Sequence, residues 1–155
     1  MTDLTPFFTD LQAGSIAKRR AAAAALGKSG SPDAIPALSA AVTDPHPAVR
    51  CEVARALGRL EDSSAVPSLT LALDDTEPAV RAAALAALGR IRDPQSAMAV
   101  IRLLTDREIE VRIGAATVLG RLGDRRAIGP LKQLMNDPFS DVREAAGAAL
   151  LRLGN

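Results

Sequence analysis

The sequence contains no tryptophan, no tyrosine and only three phenylalanines in 155 residues. A core without aromatic rings has to be filled by leucine, valine, isoleucine and alanine, and helices carrying such short side chains pack close together. The same lack removes the stacking platforms on which single-stranded nucleic acid is usually held. The single cysteine, Cys51, excludes an intramolecular disulfide and any cysteine cluster for a metal. The single histidine, His46, excludes a His-metal cluster and a Glu-x-x-His pair, and in Asp44-Pro45-His46-Pro47 it reads as a solvated turn residue. Glycines do not cluster, so neither a phosphate loop nor a dinucleotide fingerprint is present. No run approaches the roughly 18 apolar residues of a membrane span. Met1-Thr2-Asp3-Leu4-Thr5-Pro6 lacks the basic and apolar regions of a signal peptide. A cytoplasmic location is the expectation, and it suits a chain with one thiol. Excess charge is lacking too. The formal net charge is +1, which gives no global reason to expect nucleic acid or an anionic membrane as partner.

What the sequence does have is a period. Gly27, Gly58, Gly89 and Gly120 are spaced by 31 residues, as are Arg19, Arg50, Arg81, Arg112 and Arg143. Asp44, Asp75, Asp106 and Asp137 form a third column, and Leu26, Leu57, Leu88, Leu119 and Leu150 a fourth. The spacing divides the chain into whole units, 1–31, 32–62, 63–93, 94–124 and 125–155, and predicts a single repeat domain over 1–155.

Each unit reads as two helices. The first spans about ten residues, as in 34–42, with Ile35, Leu38 and Val42 on one face. Pro36 and Pro67 fall in its first turn, where a missing N–H costs little. An aspartate then opens a turn into a longer helix, as in 48–60, where Val49, Val53, Ala56, Leu57 and Leu60 form the core stripe. The column glycine near its end predicts a close approach of neighbouring helices. A pair this short cannot bury its apolar face alone, so stacking of neighbours completes the core. The fold class expected is an all-α solenoid of five helix pairs.

The run from Asp44 to Leu60 and on to Leu69, and again from Asp106 to Leu131, resembles HEAT-like repeats of the phycobilisome-lyase type. The resemblance implies protein–protein scaffolds, bilin lyase subunits and phycobiliprotein degradation factors. It also implies that Asp44, Asp75, Asp106 and Asp137 with Arg50, Arg81, Arg112 and Arg143 form a structural ladder along the stack. The first repeat departs, with Ala13 in the aspartate column and Lys18 in the valine column, so a frayed ladder is expected there. Leu151 replaces the column glycine in the last repeat, which suits a C-terminal cap. The His-Glu motifs of deoxyhypusine hydroxylase, a metalloenzyme on HEAT repeats, are missing.

In HEAT folds the second helices line the concave side, and equivalent exposed columns there form the usual binding surface. Helical spacing from the core stripe marks Glu52, Arg55 and Arg59 in the second repeat, and Ala83, Ala86 and Arg90 in the third. It marks Glu110, Ile113, Thr117 and Arg121 in the fourth, and Arg152 in the fifth. These columns make a shallow small-residue face, with Lys28, Arg59, Arg90, Arg121 and Arg152 along one margin. Cys51 reads as a small residue on the side away from the stack. No catalytic constellation, metal site or cofactor is expected. The function expected is a non-catalytic scaffold or assembly factor for another protein; the alternative is a phycobilin lyase subunit acting with a partner chain.

Overall fold

The computed structural model describes residues 3–155, so Met1 and Thr2 of the N-terminal segment lie outside the described residues. Ten α-helices and no strand occur among the described residues, in the helix-pair repeat of the α-solenoid class. The chain divides into two compact units, one ending at Ile91 and the other covering Arg92–Asn155. The first holds α1 (Thr5–Ala13), α2 (Ile16–Lys28), α3 (Ile35–Ala40), α4 (Pro47–Leu60), α5 (Val66–Ala72) and α6 (Pro78–Ile91). The second holds α7 (Ala97–Arg102), α8 (Ile109–Leu122), α9 (Ile128–Leu134) and α10 (Ser140–Arg152).

The first helix of a repeat is shorter than its apolar spacing predicts. In the second repeat α3 keeps six residues, between 3₁₀ turns at Pro32–Ala34 and Ala41–Thr43. So short a helix leaves most of its end groups without α-helical partners. Tighter i→i+3 bonds take them up, as from the Ala34 N–H to the Ser31 carbonyl and from the Asp44 N–H to the Ala41 carbonyl. Ser31, Asp62, Asp93 and Asp124 open the 3₁₀ turns, each accepting the N–H two residues ahead.

The second helices begin as read, with Pro47 in the first turn of α4. His46 is more than a solvated turn residue: its Nδ1 accepts the Ala48 N–H at 3.2 Å and caps α4. After the second helix the chain reverses through a left-handed residue once per repeat. Gly30, Glu61, Arg92, Gly123 and Gly154 have φ of 68°, 52°, 57°, 73° and 72°. Glycine adopts this conformation freely, and Glu61 and Arg92 adopt it under strain.

In the first unit α4 packs between α2 and α6. Leu26, Leu38, Leu57, Leu69 and Leu88 are sealed from solvent there, and Leu119 and Leu131 are sealed in the second unit. A Cβ on Gly27 would lie 2.6 Å from the Ala56 Cα, and one on Gly58 2.7 Å from the Ala87 Cα. In the second unit α8 packs on α10, and a Cβ on Gly120 would lie 3.0 Å from the Ala149 Cα. The glycine column is therefore the place where consecutive second helices touch backbone to backbone.

Candidate functional site

The arginine and aspartate columns meet between consecutive repeats. Arg19 Nε and Nη2 donate to the two carboxylate oxygens of Asp44 at 2.7 and 3.0 Å. Arg50 grips Asp75 at 2.6 and 2.9 Å, and Arg112 grips Asp137 at 2.8 and 3.4 Å. Each aspartate also closes its own turn, with Asp44 accepting the His46 N–H and Asp137 the Phe139 N–H. Asp106 accepts the Glu108 N–H in the same way. These aspartates thus accept from the residue just before the longer helix, which closes the turn the sequence places there. Arg81 is buried and donates Nη1 to the Asp75 carbonyl at 2.8 Å. Arg143 donates Nη1 to the Asp137 carbonyl at 2.8 Å. The first repeat is less frayed than its substitutions imply, since Arg19 makes a full two-point pair; Ala13 simply has no carboxylate to offer.

Burial pushes the carboxyls of Asp44, Asp75 and Asp137 up. Hydrogen bonds from the facing arginine and the turn N–H, together with the arginine charge, outweigh it and hold all three below the ordinary carboxylate value. Arg112 also lies over the Phe139 ring, 5.9 Å from its centroid.

On the outer strip of the second helices, Arg55, Ala86 and Arg90 are exposed in the first unit, and Glu52 and Arg59 are half-buried. Glu52 binds Arg59 at 2.8 Å and approaches Arg55 at 3.6 Å, while Arg90 pairs with Glu61 at 3.4 Å. A depression of about 150 Å³ lies here, floored by Ala83, Ala86 and Ala87 and ringed by Arg55, Arg59 and Arg90. Two of the residues read as exposed are not: Cys51 is 8% and Ala83 7% exposed. A helix flanked by neighbours on both sides buries more of its circumference than a single apolar stripe suggests. Burial pushes the Cys51 thiol up, leaving it protonated.

In the second unit Glu110, Arg121 and Arg152 are exposed, and Ile113 and Thr117 are half-buried. The Thr117 hydroxyl donates to the Ile113 carbonyl at 2.9 Å. Arg121 and Arg152 have no carboxylate partner among the described residues. Along the positive margin Arg59 and Arg90 are thus paired with Glu52 and Glu61, while Arg121 and Arg152 are uncompensated.

Wider crevices lie elsewhere. One of about 650 Å³ is lined by Ile101, Leu104, Pro130, Gln133 and Leu134 between α7 and α9. Another, of about 320 Å³, is lined by Leu11, Ala37, Ala40 and Pro45 between α1 and α3. Both use first-helix and turn residues that the sequence reading did not mark. No column of residues in the sequence signals them. No group of three His, Cys, Asp or Glu able to hold a metal occurs among the described residues, and no helix there is long and apolar enough to cross a membrane.

The HEAT repeats family matches residues 5–77 and 66–151. Among solved structures, the chain is similar to one in the complex of CpcE and CpcF of phycocyanin lyase from Nostoc sp. PCC7120. The two share 29% identity with a TM-score of 0.85, over 99% of this chain and 65% of that one. A designed armadillo repeat protein in complex with the peptide (KR)4 matches with TM-score 0.75 at 19% identity, over 97% of this chain and 81% of that one. Human deoxyhypusine hydroxylase matches with TM-score 0.54 at 18% identity, over 97% and 96% of the two chains. These last two likenesses concern the fold alone. No curated protein matches by sequence.

Proposed function

The chain belongs to the HEAT repeat family, of the phycobilisome-lyase kind, and on that premise we propose that it is a non-catalytic protein–protein scaffold or assembly factor. The partner lies along the exposed strip of the second helices, in a cytoplasmic setting that suits a single buried thiol. One observation carries this reading. The depression over Ala83, Ala86 and Ala87 is too small for a cofactor, yet its alanine floor and three arginines fit the side chain of a docked segment. In the second unit, Arg121 and Arg152 supply uncompensated positive charge for carboxylates. Glu110, Ile113 and Thr117 provide the mixed surface beside them.

Because Ala83 is buried, the informative substitution pair is Ala86→Glu with Arg90→Glu. Polypeptides retained by the wild-type chain from the native host are identified by mass spectrometry and purified, and their binding is measured again. The variant should keep its helical circular dichroism and bind at least 10-fold more weakly, from one lost charged contact and one clash. Unchanged affinity would rule out this surface.

A second reading is favoured by the 29% identity, over 99% of this chain, to a chain of the CpcE–CpcF phycocyanin lyase complex. In that reading the chain is a lyase subunit or phycobiliprotein-handling factor that works with a partner chain. Co-expression with a phycobiliprotein and bilin decides it. Covalent pigment that depends on this chain supports the lyase role, and its absence in the presence of every candidate partner rejects it.

A further inference from the structure

The depression in the first unit has a counterpart in the second. Two repeats on, its alanine floor becomes Ala145, Ala148 and Ala149, and Arg59 and Arg90 become Arg121 and Arg152. Arg55 becomes Thr117, whose hydroxyl donates to the Ile113 carbonyl. The two glutamates are what changes. Glu52, which binds Arg59 at 2.8 Å, is replaced by Gly114, and Glu61, which meets Arg90 at 3.4 Å, by Gly123. The first unit therefore supplies carboxylates to its own arginines, and the second keeps the arginines without them. Both substitutions stand upstream of the arginine they leave unpaired, inside the described chain.

The second-unit arginines are gathered at one edge. A Cβ on Gly120 would lie 3.4 Å from the Arg152 Cδ, so the Arg152 stem lies on α8 one residue before Arg121. Arg125, in the turn after α8, donates Nη1 to the Leu153 carbonyl at 3.5 Å and stands against the end of α10. Arg121, Arg125 and Arg152 are all exposed, and none has a carboxylate partner among the described residues. Asp124, next to Arg125 in the chain, is held by Arg126 at 2.6 Å. Like charges at one edge repel, and an anion that enters among them removes the repulsion.

We infer, resting on the scaffold reading above, that this edge of the second unit docks an acidic segment of another polypeptide. Its glutamate or aspartate carboxylates take the places that Glu52 and Glu61 fill in the first unit. The chain itself carries the precedent, since the same arginine columns accept glutamate oxygens at 2.8 and 3.4 Å there. An arginine fork matches a carboxylate in shape as well as in charge. A nucleic acid would bring phosphates but would also need faces on which its bases stack. The columns beside Arg121 and Arg152 hold glycine, threonine and alanine instead. That small floor lets a docked backbone come close enough for short acidic side chains to reach both arginines.

The test titrates the full chain against a short fluorescein-labelled peptide of alternating alanine and glutamate, read by anisotropy. An alanine–glutamine peptide and an oligothymidylate of equal charge are the comparisons. The glutamate peptide should bind and the glutamine peptide should not. Arg121→Glu with Arg152→Glu should weaken binding by about 10- to 100-fold at unchanged helical circular dichroism. Gly123→Glu rebuilds the first unit's arrangement, and Glu61 shows that a glutamate can hold that left-handed turn. It should weaken the peptide about 10-fold, whereas Gly123→Gln, under the same backbone strain, should change it less than about 2-fold. Ala86→Glu with Arg90→Glu should also change it less than about 2-fold, which separates failure of the first-unit surface from failure of this one. No binding of the glutamate peptide, equal binding of the glutamine peptide, tighter binding of the oligothymidylate, or equal weakening by Gly123→Gln would overturn the inference.

Discussion

Glu61 and Arg92 stand in a backbone column that three other repeats fill with glycine. A left-handed side-chain-bearing residue costs on the order of 1 kcal/mol. Glu61→Gly should therefore raise stability by about 0.5–1 kcal/mol, read as a higher urea midpoint at unchanged slope. Losing its exposed contact with Arg90 subtracts little. The glycines within helices divide the opposite way. Gly58→Ala puts a methyl 2.7 Å from the Ala87 backbone and should destabilise by about 1–3 kcal/mol, despite the roughly 1 kcal/mol that alanine gains in helix propensity. Gly147→Ala meets only the end of Met135 at 3.8 Å and should stabilise by up to about 1 kcal/mol. Equal effects at the two sites in denaturant titrations would contradict the backbone-contact account. The sequence period exposed the tight column because only glycine repeats there; the left-handed column escaped because its residue type changes from copy to copy.

Between repeats of the same unit, the arginine–aspartate rung joins one turn to the next. Its carboxyls titrate below the ordinary value, so the folded state binds fewer protons than the unfolded one as the pH nears that value. The stability the rungs confer is complete above the unfolded carboxylate pKa of about 3.9 and is lost as the pH falls through the lower folded values. The thermal midpoint should be flat from neutral pH to about 5 and drop below about 4, with a shallower drop in Asp75→Asn. The repeat spacing put Arg19 in the same column as Arg50, but two substitutions in its repeat suggested a frayed ladder and disguised an intact rung. Helix type and order were legible from apolar spacing. The six-residue length of α3 was not, since 3₁₀ ends keep nearly the same residues on the same face. The buried state of Cys51 and Ala83 was hidden for another reason: a second helix has neighbours on both flanks.

Within each unit, side-chain hydrogen bonds between separate elements join residues no more than one repeat apart among the described residues, such as Arg50 with Asp75 and Arg125 with the Leu153 carbonyl. Contacts of such short sequence separation predict refolding in microseconds to milliseconds, measurable by temperature jump or stopped flow. A main phase of seconds would contradict this. The helix-pair repeat was legible because several residue columns keep one spacing of 31 residues. The surface crevices were not, because they depend on how far the first helices diverge, a distance that no column of residues encodes.

The aliphatic core has one more consequence, for whoever looks at the molecule with light. A chain with neither tryptophan nor tyrosine emits almost nothing in the near ultraviolet. Any docked polypeptide that carries an indole would be seen against a dark background, its emission reporting only its own surroundings. A single tryptophan at exposed Leu71 would convert this silent body into a donor of known position.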